Sequence, residues 1–247
     1  MPSTWSGAAS SSSSAGGGSF EAYFQRWIAR QEQFLYELVA ARDSSSGSEN
    51  NLRDLIARVR AHYLEYYEEK SRMTNGNVFL MFSPNWFTPL ERSFLWIAGF
   101  KPGLACRLVI SAVDDLTDEQ KERVRQLSHD TKRQEKLLND EIAKIQESLA
   151  APPLIDSARI LGRQPQPFQR EIEEADTVIE PLKYAMQDVL NDADRLRTRT
   201  AEKVVDILNP IQSVRFFAAA ADLQMRLRTI GLQKEADRAN VTATNGW

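Results

Sequence analysis

Few residues of this chain have the type and spacing that catalysis or metal binding requires. The chain has two histidines, His62 and His129, and one cysteine, Cys106. Neither histidine has a Cys, Asp or His partner at a metal-binding spacing such as H-x-x-x-H, and no Gly-rich phosphate loop or GxSxG elbow occurs. Cys106 lies near Leu104 and Leu108, which favours a buried core thiol over a nucleophile. We therefore expect no enzyme, no metal site and no cofactor.

Three basic residues have a spacing that could serve to bind phosphate or an acidic partner. Arg195, Arg199 and Lys203 follow one another at i, i+4 and i+8, which places them on one face of a helix. Asp192 and Glu202 lie nearby and dilute the positive field. A solvated helix surface therefore competes with a partner-binding basic stripe as the interpretation.

A set of aromatic residues could either line a pocket for an apolar ligand or form a packed core. Phenylalanine and tryptophan dominate core energetics, and the same side chains line apolar pockets, so both interpretations stay open. Lys101 and Arg92 would lie at the rim of such a pocket and could receive an acidic head group. The aromatic set consists of Phe24, Trp27, Trp86, Phe87, Phe94, Trp96 and Phe100.

The segment over residues 82–102 contains most of these rings and has residues that typically begin and end a helix. Thr88 can be an N-cap, Pro89 suits the first helical position, and Glu91 at N3 completes a capping box. Gly99 suits a left-handed C-terminal cap. We therefore predict an apolar helix over residues 89–98, packed in a core or under a ligand.

Apolar residues at helical spacing predict further helices along most of the remaining chain. Thr117 and Gln120 form a second capping box, and Asn209 with Gln212 repeats the arrangement. Pro181 is expected to kink or split its helix, and Gly231 is expected to end the last one. The predicted helices cover residues 19–42, 51–72, 102–113, 117–150, 168–197, 201–208 (as a continuation or a short helix of its own) and 210–228.

The order of these segments predicts an all-α fold, a single bundle of about six to nine helices with disordered termini. Residues 1–18 are a Ser/Gly-rich, disordered tail, residues 19–231 form the helical domain, and residues 232–247 form a flexible tail. Four prolines mark a linker or ordered loop over about residues 151–167.

Composition narrows the class of protein. The 247 residues are 42% hydrophobic and 26% charged, with a net charge of −3, which is ordinary for a soluble globular protein and unusual for a polyanion binder. No run approaches 18 apolar residues, and no secretory signal pattern is visible, so we expect no membrane span. A dense Lys/Arg block running into leucine heptads, as a bZIP region requires, is also missing.

The 82–102 segment resembles a known family signature. Its Ser-Pro-x-Trp, Thr-Pro-Leu-Glu-Arg and Leu-Trp-Ile-x-Gly-x-Lys-Pro motifs, in this order, are similar to the plant delay-of-germination domain. That domain also forms the C-terminal half of TGA-type bZIP transcription factors. Segments at residues 20–38, 115–149 and 208–231 resemble the opening, long charged and closing helices of the domain. The resemblance covers roughly residues 19–231.

This resemblance implies a non-enzymatic plant protein of the nucleus and/or cytoplasm that regulates transcription and development, such as seed dormancy and germination. For such a protein we favour contacts with regulatory proteins, such as TGA-type factors or phosphatases, as the mechanism. The candidate surfaces are the basic stripe and the polar side of the 117–150 helix. That helix could also support a homodimer. Direct sequence-specific DNA binding, sensing of a small apolar ligand and a role as a pollen aperture factor stay as alternatives.

Overall fold

A computed structural model of the chain describes residues 20–43, 48–149 and 169–244. Over these ranges the chain forms eight helices and no strand, which confirms the all-α prediction. The predicted N-terminal tail and the Pro-rich segment at 151–167 lie outside the described residues. The helices are α1 (Phe20–Asp43), α2 (Glu49–Gly76), α3 (Val78–Phe82), α4 (Pro89–Ser93), α5 (Leu104–Ala112), α6 (Asp118–Leu149), α7 (Gln169–Ile207) and α8 (Pro210–Thr244).

Capping boxes begin α4, α6 and α8, as the sequence predicts. At α6 the Thr117 hydroxyl accepts from the backbone N–H of Gln120 at 3.1 Å, and the Gln120 side chain accepts from the Thr117 N–H at 3.0 Å. Asn209 and Gln212 make the same reciprocal pair at α8. The Gln120 amide also donates to the Gln212 carbonyl oxygen at 2.8 Å. This contact fixes the first turns of α6 and α8 side by side.

The predicted helix over residues 89–98 is wrong in length, because α4 ends at Ser93. The left-handed residues that follow are Ile97 and Ala98, with φ of 45° and 56°, and not the predicted cap Gly99. The physical reason is that carbonyls of this segment accept hydrogen bonds from side chains of other helices, including Arg197. They therefore do not need the bonds of a continuing helix.

Gly231 does not end the last helix, which is a second correction. Helix α8 runs through this residue to Thr244, so the predicted tail from residue 232 is helical to that point. A Cβ at position 231 would lie 2.1 Å from Oγ1 of Thr88. The glycine therefore serves the close approach of the α4 N-terminus to α8, and it lies within a helix despite its low helix propensity.

Helix α7 is continuous, although it contains a proline. It runs from Gln169 to Ile207 with Pro181 inside, so the proline does not split the helix, and residues 201–207 continue it, which was one of the two predicted alternatives. Similarly, α2 continues beyond its predicted end at residue 72 and ends at Gly76. In both helices buried residues follow the position at which the local pattern favours an end, with Leu182 after Pro181 and Thr74 after residue 72.

The core consists of three apolar clusters that share helices. One joins the C-terminal half of α1 and the N-terminal half of α2 to α5, α6, α7 and α8, around Leu38, Val109 and Val204. A second is rich in aromatic rings and joins the N-terminal half of α1 to α3 and the loop after it. The third lies between α6 and α7, around Leu138 and Ala193.

Helix α7 runs antiparallel to both α2 and α6. Thr131 of α6 lies 3.5 Å from Thr200 at their hydroxyl oxygens, while Leu138 packs against Ala193. On the other side, Lys70 of α2 contacts Asp194, and the Gln187 amide donates to the Thr74 carbonyl. Residue numbers therefore rise along α7 as they fall along α2 and α6. Helix α7 contacts both of these helices and is antiparallel to each.

Candidate ligand cavity and partner-binding groove

Four of the aromatic candidates form one packed cluster. The rings of Phe24 and Phe87 meet edge to face with centroids 4.9 Å apart, and Trp86 lies beside them. The Trp27 indole N–H donates to the backbone carbonyl of His62 at 3.0 Å, so its one polar atom is satisfied. None of the four rings lines either cavity described below. Their contacts are those of a core.

The other three aromatic candidates lie apart from this cluster and from one another. Phe94 is 50% exposed because α4 ends before it, which corrects its expected place in a core. Trp96 packs between α6 and α7, where its indole N–H donates to Asn139 at 2.7 Å. Phe100 lines a separate cavity. The seven rings therefore do not enclose a single pocket.

Residues 96–99 form a tight turn with an unfavourable backbone. The N–H of Trp96 donates to the carbonyl of Gly99 at 2.7 Å, and the reverse bond measures 3.3 Å. Both central residues, Ile97 and Ala98, have positive φ, as in a type I′ turn, where Asn-Gly is the usual pair. A β-branched residue in this region costs about 1–3 kcal/mol and persists only where other contacts enforce it.

Arg197 of α7 supplies those contacts. Its guanidinium donates to the carbonyls of Trp96, of Ile97 at 2.8 Å and of Phe100 at 2.7 Å. It also lies over the Trp96 ring, 5.4 Å from the centroid. The planar guanidinium of this one buried side chain thus binds three backbone carbonyls within residues 96–100.

Lys70 and Asp194 complete a buried network of two cations and one carboxylate. The Lys70 ammonium donates to the Ala98 carbonyl at 2.7 Å and to Asp194 at 2.9 Å, and Asp194 also accepts from Arg197. Burial, which Asp194 opposes and to which the positive charge of Arg197 adds, lowers the pKa of Lys70 from 10.5 to about 8. The network fixes the turn to α2 and α7 together.

The sequence analysis missed this network, although the helical pattern holds a signal for it. Lys70 follows Tyr63 and Tyr66 on the apolar face of α2, and Asp194 and Arg197 interrupt the apolar face of α7. A charged residue within an apolar stripe is buried with a partner or carbonyl acceptors. The pattern alone does not identify the 96–100 turn as the acceptor.

A cavity of about 170 Å³ opens beside the turn, between α2, α5, α7 and α8. Its walls are mainly apolar and aromatic, including Tyr63, Leu108 and Phe217. Lys101 lies at this cavity, which differs from the aromatic pocket that the sequence suggested, and its ammonium is 3.6 Å from Glu135. Arg92 does not, because its guanidinium binds loop carbonyls, among them that of Phe87 at 3.1 Å.

A larger groove of about 1280 Å³ runs over the outer face of α7, between α2 and α6. Leu64 of α2 and Leu137 of α6 line it and are 42% and 53% exposed. Charged residues from all three helices surround these apolar side chains. Such a surface, with apolar centre and charged margin, has the composition of a protein-binding site.

The predicted basic stripe lies along this groove. Arg195 and Arg199 line the groove and Lys203 follows on the same helix, all three exposed. Arg195 is neutralised by Asp192 at 3.0 Å. Arg199 and Lys203 make no ion pair with any residue that the structure describes, which leaves two cations free for a partner.

The outer face of α6, the other predicted surface, is occupied by its own ion pairs. These pairs neutralise neighbouring charges along the helix and leave less for a partner. They are Lys121–Asp118, Arg125–Glu122, Arg133–Asp130 and Lys136–Asp140.

The histidines and the cysteine lie apart from both cavities. His62 is buried and stacked on Trp27 with ring centroids 4.5 Å apart, and burial lowers its pKa to about 4. His129 is exposed on α6. Burial raises the pKa of the Cys106 thiol to about 11. Within the described ranges no group of three or more His, Cys, Asp or Glu side chains could hold a metal ion, and no helix could span a membrane.

Comparison with known proteins identifies relatives across most of the chain. Residues 34–111 match DOG1, described as seed dormancy control. The chain is 35% identical to Protein ZW2 of Arabidopsis thaliana over 87% of its own length and 96% of the relative. It is 34% identical to Protein RESPONSE TO ABA AND SALT 1 of the same plant, covering 85% of the chain and 94% of the relative.

A third relative is longer than this chain. The chain is 31% identical to Transcription factor TGA7 of Arabidopsis thaliana over 86% of its length, but it spans only 55% of TGA7. The shared part is the helical domain described above. What TGA7 does as a whole transcription factor therefore does not transfer with the match.

Proposed function

This chain belongs to the DOG1 family of seed dormancy control, and from that premise we propose that it is a non-enzymatic plant regulator that acts through protein–protein contacts. We propose that it regulates transcription and developmental processes, such as dormancy and germination, and that it acts in the nucleus and/or cytoplasm. Its partners are transcriptional or signalling proteins, among them TGA-type factors or phosphatases. Response to abscisic acid and salt, named for one relative, and pollen aperture formation are other outputs of the same mechanism.

The observation that carries this proposal is the pair of free cations beside the groove. Arg199 and Lys203 are exposed and lack an ion pair within the described part of the chain, whereas eight of the charged residues along α6 pair with one another. The exposed Leu64 and Leu137 offer apolar area next to these cations. Interfaces combine such a buried apolar centre with a charged rim that sets specificity.

Direct DNA reading has less support. The net charge is −3, and Asp192 and Glu202 accompany the cations of α7. A DNA reader needs a clustered basic surface, because phosphate neutralisation supplies most of its affinity. We therefore place partner contact first and DNA contact second.

The test is proximity labelling in plant tissue with three forms of the full chain. These are the wild type, the double variant Arg199→Glu/Lys203→Glu, and the control Arg107→Glu/Lys234→Glu. Arg107 and Lys234 are also exposed, so the control has the same charge change at other places. We expect the wild type and the control to label a common set of regulatory proteins that the Arg199/Lys203 variant loses.

A second arm tests the DNA alternative. The purified chain is incubated with a random duplex library at about 150 mM salt and the bound fraction is sequenced. A specific reader exceeds non-specific binding by about 10³-fold or more, so it would enrich a motif. An enriched motif, or identical labelling by all three forms, would overturn the proposal.

Ligand sensing is a second candidate because of the 170 Å³ cavity. Its apolar walls suit a small apolar molecule, and the exposed ammonium of Lys101 at the cavity suits an acidic head group. Native mass spectrometry of the purified chain tests this, with Leu108→Trp as a variant that fills the cavity. A co-purifying mass that the variant loses supports ligand sensing, and a clean mass for both forms contradicts it.

A further inference from the structure

We propose that the groove over α7 binds one amphipathic helix of a partner protein, whose basic end lies at Glu68 and Glu141 and whose acidic end lies at Arg199 and Lys203. This inference rests on the proposed function, because it takes the groove to be a partner-binding surface. It adds the secondary structure and the charge pattern that the partner must have.

The shape of the groove fits a helix. Its floor is α7 from Asn191 to Glu202, about 17 Å at a rise of 1.5 Å per residue, or about three turns. Both walls, α2 and α6, run antiparallel to this floor. A helix laid along the floor would thus have a helix on either side and one beneath it, which is the environment of a bundle helix.

The two exposed leucines provide apolar contacts at different levels of the groove. Leu64 lies on the α2 wall near the level of Thr198, since α2 residue 60 meets α7 residue 202 and Lys70 meets Asp194. Leu137 lies on the opposite wall, nearer to Asp194, because Leu138 packs on Ala193. A partner helix with apolar residues at i, i+4 and i+7 would cover both.

The free charges are separated along the groove. In the half of the groove nearer to Asn191, Glu68 (near the level of Leu196) and Glu141 (near the level of Asn191) are exposed and have no ion pair within the described ranges. At the other end Arg199 and Lys203 are free, as shown above. The other exposed charges along the groove are paired: Arg195 with Asp192 at 3.0 Å, Arg72 with Glu69 at 2.7 Å, and Glu202 with Arg60 at 3.7 Å. The groove is therefore acidic at one end and basic at the other.

This separation selects a partner with opposite charges at its two ends. A helix with acidic residues throughout would meet Glu68 and Glu141, and a basic one would meet Arg199 and Lys203, so each would leave like charges facing. Only a bipolar helix satisfies both ends.

The test uses three synthetic peptides of 14 residues with identical leucines and a lactam bridge on the outward face, which equalises their helicity. One carries lysines at one end and glutamates at the other, the second carries glutamates at both ends, and the third carries lysines at both. Binding of each labelled peptide to the full chain is measured by fluorescence anisotropy. We expect the bipolar peptide to bind about fivefold more tightly than the others, since exposed ion pairs are individually weak.

Variants of the protein must change this preference in a defined way. Arg199→Glu/Lys203→Glu makes both ends acidic and should then prefer the all-lysine-ended peptide. Glu68→Lys/Glu141→Lys should prefer the all-glutamate-ended peptide. Leu64→Ser/Leu137→Ser should lose all three, and the control Arg107→Glu/Lys234→Glu should behave like the wild type.

Three results would overturn the inference: no binding of any peptide, equal binding of all three, or a preference that the variants do not change. Light scattering adds a fourth. If the wild type forms a dimer that Leu64→Ser/Leu137→Ser dissociates, a second copy of the chain fills the groove. If the Arg199→Glu/Lys203→Glu variant loses partner labelling but the wild type binds the three peptides equally, only this inference is contradicted. The proposed function would still hold.

Discussion

The backbone of Gly99 lies directly against the guanidinium group of Arg197. A Cβ at position 99 would be 2.8 Å from both Cζ and Nε of the arginine, closer than real Cβ contacts. The arginine is not free to move aside, because it binds three carbonyls of the same turn and the carboxylate of Asp194. The glycine is therefore needed for this approach and not for a left-handed backbone.

We expect Gly99→Ala to destabilise the fold by about 1–3 kcal/mol, since the added methyl must displace Arg197 or the turn. The measurement is the free energy of unfolding in urea. Gly76→Ala is the control, because a Cβ there meets nothing within 4 Å. A loss at position 76 equal to that at position 99 would contradict the steric explanation.

The buried network predicts an order of effects among its members. Asp194→Ala leaves Lys70 and Arg197 buried without an anion, and we expect a loss of about 3–5 kcal/mol. Lys70→Met leaves the Arg197–Asp194 pair balanced and removes a buried ammonium, so its loss should be below about 2 kcal/mol. Urea unfolding of both variants measures the order. The reverse order would show that the second cation, and not the carboxylate, holds the network together.

Local sequence patterns predicted the features that depend on neighbouring residues. The Thr117–Gln120 and Asn209–Gln212 boxes form as expected, since a cap is complete within four residues. Helix α1 and the long helix α6 also lie within a residue or two of their predicted bounds. The free cations Arg199 and Lys203 share one exposed face, as their spacing predicts.

Features that depend on distant residues could not be predicted in this way. Gly231 has the local signature of a helix end, but its role is set by Thr88, far away in the chain. The turn at Ile97 and Ala98 is paired with Arg197, about a hundred residues on. The groove arises only when α2 and α6 pack on either side of α7, so no single segment carries a pattern for it.

Cys106 should be unreactive in the native protein. Its side chain is 2% exposed, and burial raises its pKa to about 11, so little thiolate exists at pH 8 and a reagent cannot reach it. We expect a disulfide reagent such as DTNB to label the thiol only after denaturation with urea. Rapid stoichiometric labelling in native buffer would show that the region around α5 opens readily.

The stacked pair of His62 and Trp27 predicts acid sensitivity. The imidazole is 4% exposed, and neither ring nitrogen has a hydrogen-bond partner within the described ranges. Burial, with a smaller contribution from Arg30 that Glu65 opposes, lowers its pKa from 6.5 to about 4. The unfolded chain therefore binds this proton more readily than the folded chain between pH 6.5 and 4. Stability is full above pH 6.5 and falls as the pH falls through this window, by about 3 kcal/mol in total.

The measurement is the free energy of urea unfolding at several pH values from 7 to 4. His62→Phe keeps an aromatic ring against Trp27 but cannot be protonated, so it should show a shallower decline than the wild type. His129→Gln is the control, because it removes the other histidine, whose imidazole is exposed. If His62→Phe loses stability with acid as steeply as the wild type, protonation of other groups causes the decline. In that case the imidazole stacked on Trp27 would not be the group that limits the fold in acid.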